Sequence, residues 1–395
     1  MKPTIAIAGS LAQKPHQAGH TWQFLQYLLG FQRLGFDVLF IDRLELEMCV
    51  AEDGTPLPIE QAPQLAYLRS VMDEYGLADR YALLADGGTA TFGLAREDVL
   101  RRVESSELLL NVMGFLDDAD VLAAAPRRVF LDTDPGYGQM WLELGLADIF
   151  AGHEDLVTIA ENIGRPGCDV PTCGRDWITT PQPVVLDQWP AQPPAGERLT
   201  SIGSWRGPYG PLEFRGKTYG LRVHEFRKFA GVPRRTDQEF EVALDIDPVE
   251  TSDLELLRAG GWRVVDPRPV GHSPAAYREY IQGSKGEFMV ARGMYVTARS
   301  GWFSERSMCY LATGKPVLAQ DTGLGDLYPV GEGLLTFDDA ESATEAVEAL
   351  AGDYATHARA ARALAERFFH SDRVLTTLLE KLGVSTPIAR TEEQV

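Results

Sequence analysis

The chain has 395 residues, of which 45% are apolar and 24% charged, and its formal net charge at pH 7 is −20. That length suits two domains, each large enough for its own core. The acidic balance argues against a nucleic-acid or anionic-membrane partner, since neither is drawn to such a surface, so an anionic ligand would need a local niche of helix ends and a few Arg or Lys.

In chain order, "TIAIAG" (4–9) is a buried strand that ends in glycine. From Trp22 to Leu34 apolar residues recur at helical spacing, and "LGFDVLFID" supplies the next strand. Further strands are expected at "LLLNVMG" (108–114), "RVFLDTD" (128–134), "ADIFAG" (147–152) and "PVVLDQW" (183–189). "WPAQPPAGERL" (189–199) has three prolines and no periodicity, which reads as an inter-domain connector. The alternation restarts with "LTSIGSW" (199–205), "FEVALDI" (240–246), "WRVVDP" (262–267), "EFMVAR" (287–292), "KPVLAQDTG" (315–323) and "GLLTF" (333–337).

Short continuous apolar runs separated by helices mean parallel sheets covered on both faces. The fold class expected is α/β, with two Rossmann-like doubly wound parallel-sheet domains facing a cleft. The boundaries are 1–188, the linker 189–199, and 200–352. A closing helical segment over 353–383 and a polar tail over 384–395 follow. No run of about 18 apolar residues exists and the N-terminus lacks the long apolar region of a secretory signal, so the expected location is cytoplasmic. Cys49, Cys168, Cys173 and Cys309 are irregularly spaced, and no metal is expected.

In open parallel sheets, ligands bind at the carboxyl ends of strands. "SGWFSERSMCYLATGKPVLAQDTG" (300–323) is the strongest candidate. Ser300, Gly301 and Ser304 precede a helix whose free N–H groups favour negative charge. Arg306 lies in the first turn, where a cation opposes the helix dipole, and it makes sense beside a bound anion. Asp321, Thr322 and Gly323 would close the next strand, with the carboxylate placed to accept sugar hydroxyls. The bland alternatives are an N-cap at Ser304 and an Asx turn at Asp321.

This half resembles the donor domain of GT-B glycosyltransferases. The resemblance is also close to bacterial family-1-like glycosyltransferases, and for that group it extends to "GHTWQFLQYLLGFQRLGFDV", "FLDTDPGYGQMW", "TIAENIGRPGCDVPTCG" and "SKGEFMVARGMYV". It implies an enzyme that moves a sugar from a nucleoside-diphosphate donor to a small-molecule or glycan acceptor, with no further cofactor. One departure matters: the glutamate that many retaining members carry five residues before Gly314 is Cys309 here.

In the first half, Ser10 ends the first strand, and Gly19 and His20 open the following helix. By resemblance to inverting family-1 enzymes, His20 would be the general base on the acceptor hydroxyl. A neutral imidazole at a helix start suits that task. Asp132 and Asp134, at another strand end, would orient His20 or hold the acceptor; their spacing also suits a metal, a reading that this fold disfavours. Ser10, Gly19, Trp22 and Tyr137 are candidate acceptor contacts. The loop "SIGSWRG" brings Gly203, Ser204 and Arg206 to where the family holds a phosphate, and in "GSKGEF" Lys285 and Glu287 would meet the nucleotide base. Two other readings share this architecture. A nucleotide-sugar epimerase would turn over donor without acceptor, and an inactive nucleotide-sugar-binding protein would turn over none.

Overall fold

The computed structural model describes residues 2–51, 53–194 and 196–387; most of the polar tail, 388–395, lies outside the described residues. The strands are β1 (Thr4–Gly9), β2 (Asp37–Leu44), β3 (Tyr81–Ala85), β4 (Ala90–Gly93), β5 (Ser106–Val112), β6 (Arg128–Asp132), β7 (Asp155–Thr158) and β8 (Trp177–Thr179) in the first half. The C-terminal half holds β9 (Arg198–Ser204), β10 (Leu212–Phe214), β11 (Lys217–Tyr219), β12 (Glu239–Asp245), β13 (Trp262–Val265), β14 (Gly286–Met289), β15 (Val317–Gln320) and β16 (Leu334–Phe337).

Among the described residues the N-terminal sheet runs β4-β3-β2-β1-β5-β6-β7-β8 and the C-terminal one β13-β12-β9-β14-β15-β16. Pairing is parallel throughout both, apart from β4, which runs antiparallel on an edge. All six residues of β1 and all four of β15 are buried, as helices on both faces require. In each sheet the order reverses once, between β1 and β5 and between β9 and β14. A crevice opens at such a reversal, at the carboxyl ends of the strands.

Two expected strands are absent. In 147–152, Asp148 caps the Phe150 amide and Phe150 packs edge-on to Phe130 and Trp177, so these apolar side chains fill a turn; the strand comes later, as β7. In 183–189, the amides of Val184 and Val185 donate to Phe369 O and Gln26 Oε1, which makes this a buried crossing segment outside the sheet. β4 and β8 are half-exposed strands that no apolar run signals, and β3, although fully buried, carries none of the β-branched residues by which the other runs are recognised.

The connector is held at several points. Trp189 is fully buried and tilted against Trp22 at 4.8 Å, and Gln192 bonds Thr313 O and Lys315. The closing segment consists of the helix Tyr354–Leu364, a wider turn Ala365–Phe369 and the helix Ser371–Lys381. That last helix returns to the first half, where Arg33 clasps Asp372 at 2.8 and 3.0 Å.

The β10–β11 hairpin turns at Arg215-Gly216, both with positive φ, as a two-residue hairpin loop prefers. It leaves its own sheet and lies on the first half through Lys217–Asp169 at 2.6 Å, Tyr219–Asp169 at 3.3 Å and the pair Arg215–Glu143.

Candidate functional site

The two reversal points face each other. From the N-terminal sheet come the loop after β1, with Lys14, and the loop after β5, with Met113 and Phe115; from the C-terminal sheet come Gly203 and Ser204 at the end of β9 and Arg292 just beyond β14. Between them lie two adjoining cavities of about 250 and 450 Å³. Gln17, His20, Ser204, Arg222, Glu305 and Arg306 line both.

Arg222 opens the helix Arg222–Phe229. Its Nε is buried without a hydrogen-bond partner, and no acid of the described residues pairs with it. Burial, then the neighbouring Arg306 and Arg292, pull its pKa down to about 9. A Cβ at position 203 would overlap the Arg222 guanidinium, so glycine there lets the side chain lie against the backbone. Such a charge is costly to leave unpaired. An anion is what it lacks.

Arg306 is balanced differently. It is 6% exposed, and its Nε donates to the fully buried Glu287 at 2.5 Å while Nη1 donates to Ile202 O at 2.7 Å. Burial works against its charge, yet Glu287 holds its pKa above the ordinary value. Arg292 donates to both oxygens of Asp134 at 2.8 Å across the cleft, and Tyr295 donates to Asp134 as well. Tyr295 in turn stacks on Trp302 at 4.2 Å. Besides Arg222, two lining residues carry buried donors without partners, Gln23 at Nε2 and Trp302 at Nε1. A cavity wall with orphaned donors suits an oxygen-rich, anionic guest.

No family model and no curated protein matches the chain. Among solved structures, HepE of Anabaena in complex with UDP-glucose matches with a TM-score of 0.60 at 11% identity, over 96% of this chain and 99% of that one. An alpha-glucosyltransferase in complex with UDP matches at 0.53 and 10%, over 96% and 99%. The N-terminal domain of Candida albicans trehalose-6-phosphate phosphatase matches at 0.55 and 9%, over 97% of each chain. The fold is GT-B.

In this GT-B cleft, His20 faces both cavities. Its Nε2 lies 3.0 Å from Ser10 Oγ and 3.3 Å from Ser10 O. A carbonyl only accepts, so Nε2 carries the proton and Nδ1 keeps the lone pair. Burial, then the nearby Lys14, push the imidazole pKa down to about 3, so the ring is neutral at pH 7. Gly19 lines the larger cavity, against Tyr277. That cavity also meets Asp245, Pro267 and Gly271 at the ends of the C-terminal sheet, and His16 crosses to stack on His272 at 4.6 Å.

Asp132 does not orient His20. It accepts from Gln139 at 2.6 Å and Thr158 at 2.9 Å inside its own half, and burial raises its pKa to about 6; Ser10 holds the imidazole instead. Asp134 reaches the cleft, in the pair with Arg292. Among the described residues no group of three or more His, Cys, Asp or Glu is gathered for a metal ion.

The 300–323 segment divides. Ser304 caps the helix Glu305–Ala312 through the Arg306 amide and faces the cavity with Glu305 and Arg306. Ser300, Gly301 and Gly323 dock the first half: Ser300 O accepts from the Asn162 amide at 3.1 Å and Gly323 O from Asn162 Nδ2 at 3.0 Å. Gly301 has φ 74°, and a Cβ there would stand 3.0 Å from the Asn162 nitrogen. Asp321 caps Gly323 and Leu324 as an Asx turn and pairs with Arg299, while Thr322 donates to Trp302 O. None of these five lines either cavity.

Arg206 pairs with Glu250 on the surface. Lys285 precedes β14 and so lies at the opposite, amino end of the sheet, beside Gln238. Glu287 meets Arg306 rather than the cavity. Trp22 is buried, donating to Pro274 O, and Tyr137 packs on Tyr209 at 4.7 Å behind the cleft wall. The residues that sequence reasoning passed over are Arg222, Arg292, Glu305 and Lys14. Each sits one or a few positions beyond a strand or loop glycine, the one signal that could have found them.

Proposed function

We propose that this chain is a glycosyltransferase that moves a sugar from a nucleoside-diphosphate donor to a hydroxyl acceptor, without a resident metal and with His20 as general base. One observation carries the reading: Arg222, a guanidinium with a buried unpartnered Nε and no acid in an ion pair with it, stands with Arg306 beside Gly203 and Ser204 at the strand reversal. A diphosphate there receives the charge-assisted hydrogen bonds that Arg222 lacks.

The nucleoside then occupies the larger cavity, over Asp245 and Pro267 and under His16. The transferred sugar lies toward His20 and Glu305, on the wall that the two cavities share. As the glycosidic bond to phosphate breaks, negative charge grows on the leaving diphosphate, and the two guanidiniums stabilise it there. Nδ1 of His20 takes the acceptor proton as the new C–O bond forms. That HepE and the alpha-glucosyltransferase were solved with UDP or UDP-glucose supports a uridine nucleotide. DNA, present with UDP in two of the alpha-glucosyltransferase structures, is opposed as an acceptor here by the charge of −20.

Calorimetry with UDP tests the reading, in wild type and in Arg222→Met. The expected result is binding that weakens about 10- to 150-fold in the variant, the share of a charged hydrogen bond. Absence of binding by UDP and other nucleoside diphosphates would sink the donor site. His20→Ala should keep UDP affinity and lose about 10²- to 10⁴-fold in transfer rate. Activity that survives a chelator supports the metal-free route. Donor turnover without any acceptor would favour an epimerase.

A further inference from the structure

One cation of the smaller cavity is held neither by an acid of the described residues nor by the proposed donor site. Four cations line it, Lys14, Arg222, Arg292 and Arg306. Arg306 is matched by Glu287 and Arg292 by Asp134, and a donor diphosphate matches Arg222. Lys14 is left over. Its ammonium lies 5.5 Å over the Phe115 ring, and it makes no hydrogen bond or ion pair with a described residue. Asp134, the acid that acts on it, is already held by Arg292 and Tyr295. In the same cavity Gln23 Nε2 and Trp302 Nε1 are buried donors without acceptors. Glu305 also lines this space, on the wall shared with the nucleotide side.

We infer that the Lys14 end of the cleft is a further anion subsite, which receives a carboxylate or phosphate of the acceptor. The inference rests on the donor reading above, because that reading assigns Arg222 to the diphosphate. Position points to the acceptor: Lys14 stands on the loop after β1 beside Met113 and Phe115 of the first half, and it does not reach the cavity over Asp245 and Pro267. Burial lowers the Lys14 pKa, and a bound anion would offset what desolvation costs the charged form. An acidic protein that keeps an unpaired lysine inside a cleft thereby selects a charged guest over a neutral sugar.

The test uses full-length protein saturated with UDP and titrated by calorimetry with inorganic phosphate, glucose 6-phosphate and glucose. Inorganic phosphate and glucose 6-phosphate should bind and glucose should not. Lys14→Met, which keeps the stem over Phe115, should weaken both anions at least about tenfold while UDP affinity stays within about twofold; Lys14→Arg should restore them. A parallel arm compares UDP-glucuronate with UDP-glucose: a preference for UDP-glucuronate that Lys14→Met abolishes keeps the subsite but moves the anion to the donor sugar. Equal binding of glucose and glucose 6-phosphate, or anion binding untouched by Lys14→Met, overturns the inference. If UDP itself fails to bind, the donor reading falls, and the difference in phosphate affinity between wild-type protein and Lys14→Met without nucleotide still decides the subsite.

Discussion

Two stretches of the C-terminal half compete for the role of anion site, 300–323 and 203–222, and they differ in how their polar groups are used. Segment 300–323 has the glycines, hydroxyls and acid of a ligand loop, yet Ser300 and Gly323 are spent on Asn162, the Gly301 amide on Thr322 O and Asp321 on its own turn. Segment 203–222 is richer still in glycine and carries arginines at 206, 215 and 222; the first two pair with acids, and the third is left without a partner inside the cleft. Composition marks where a chain can turn tightly. Unbalanced buried charge marks where something else must bind.

The largest effect that separates these stretches is on stability. Arg306→Ala strands the buried Glu287 carboxylate, and urea denaturation should show a loss of about 3–5 kcal/mol. Arg222→Ala should cost no stability, since it removes repulsion from Arg306 and Arg292, and instead weaken UDP by about 1.5–3 kcal/mol in calorimetry. If both variants lose stability alike, the contrast between a balanced and an open charge is gone. Gly301→Ala should cost about 1–2 kcal/mol of folding free energy, from positive φ, and leave UDP affinity alone. Arg206→Ala should leave both quantities unchanged, because the Arg206 side chain is itself exposed.

The smallest expected effect is a flat line. His20 has a folded pKa near 3, below the ordinary value for the unfolded chain, so its contribution is present above about pH 6.5 and fades only as pH falls toward 3. kcat/KM between about pH 5 and pH 8 should therefore lack a histidine limb; a fall centred near pH 6.5 would place the base elsewhere.

The architecture was legible because β1, β12 and β15 are short, largely apolar runs buried on both faces, and that burial writes itself into composition. Strands that are half-exposed or only three residues long, such as β4 and β8, leave no such trace. His20, Ser10, Gly203 and Ser204 could be placed near the cleft because they end a strand or start a helix beside one. Arg222 escaped for a physical reason. The β10–β11 hairpin is inserted between β9 and the helix that Arg222 opens, so the residue that lies against Gly203 is nineteen positions away from it. Lys14 and Arg292 lie a few positions past β1 and β14, the one local mark they carry, and loop cations that face solvent carry it too.

That inserted hairpin has a kinetic consequence. Pro208 and Tyr209, which lead into it, form part of the smaller cavity's wall, and its far end is moored to Glu143 and Asp169 by ion pairs open to solvent. Such moorings weaken as ionic strength rises, whereas the packed sheets behind them do not. On the reading proposed above, access to the acceptor side of the cleft would then depend on salt through a hairpin remote from the reacting atoms, and a KM for acceptor that does not change with ionic strength would refute it.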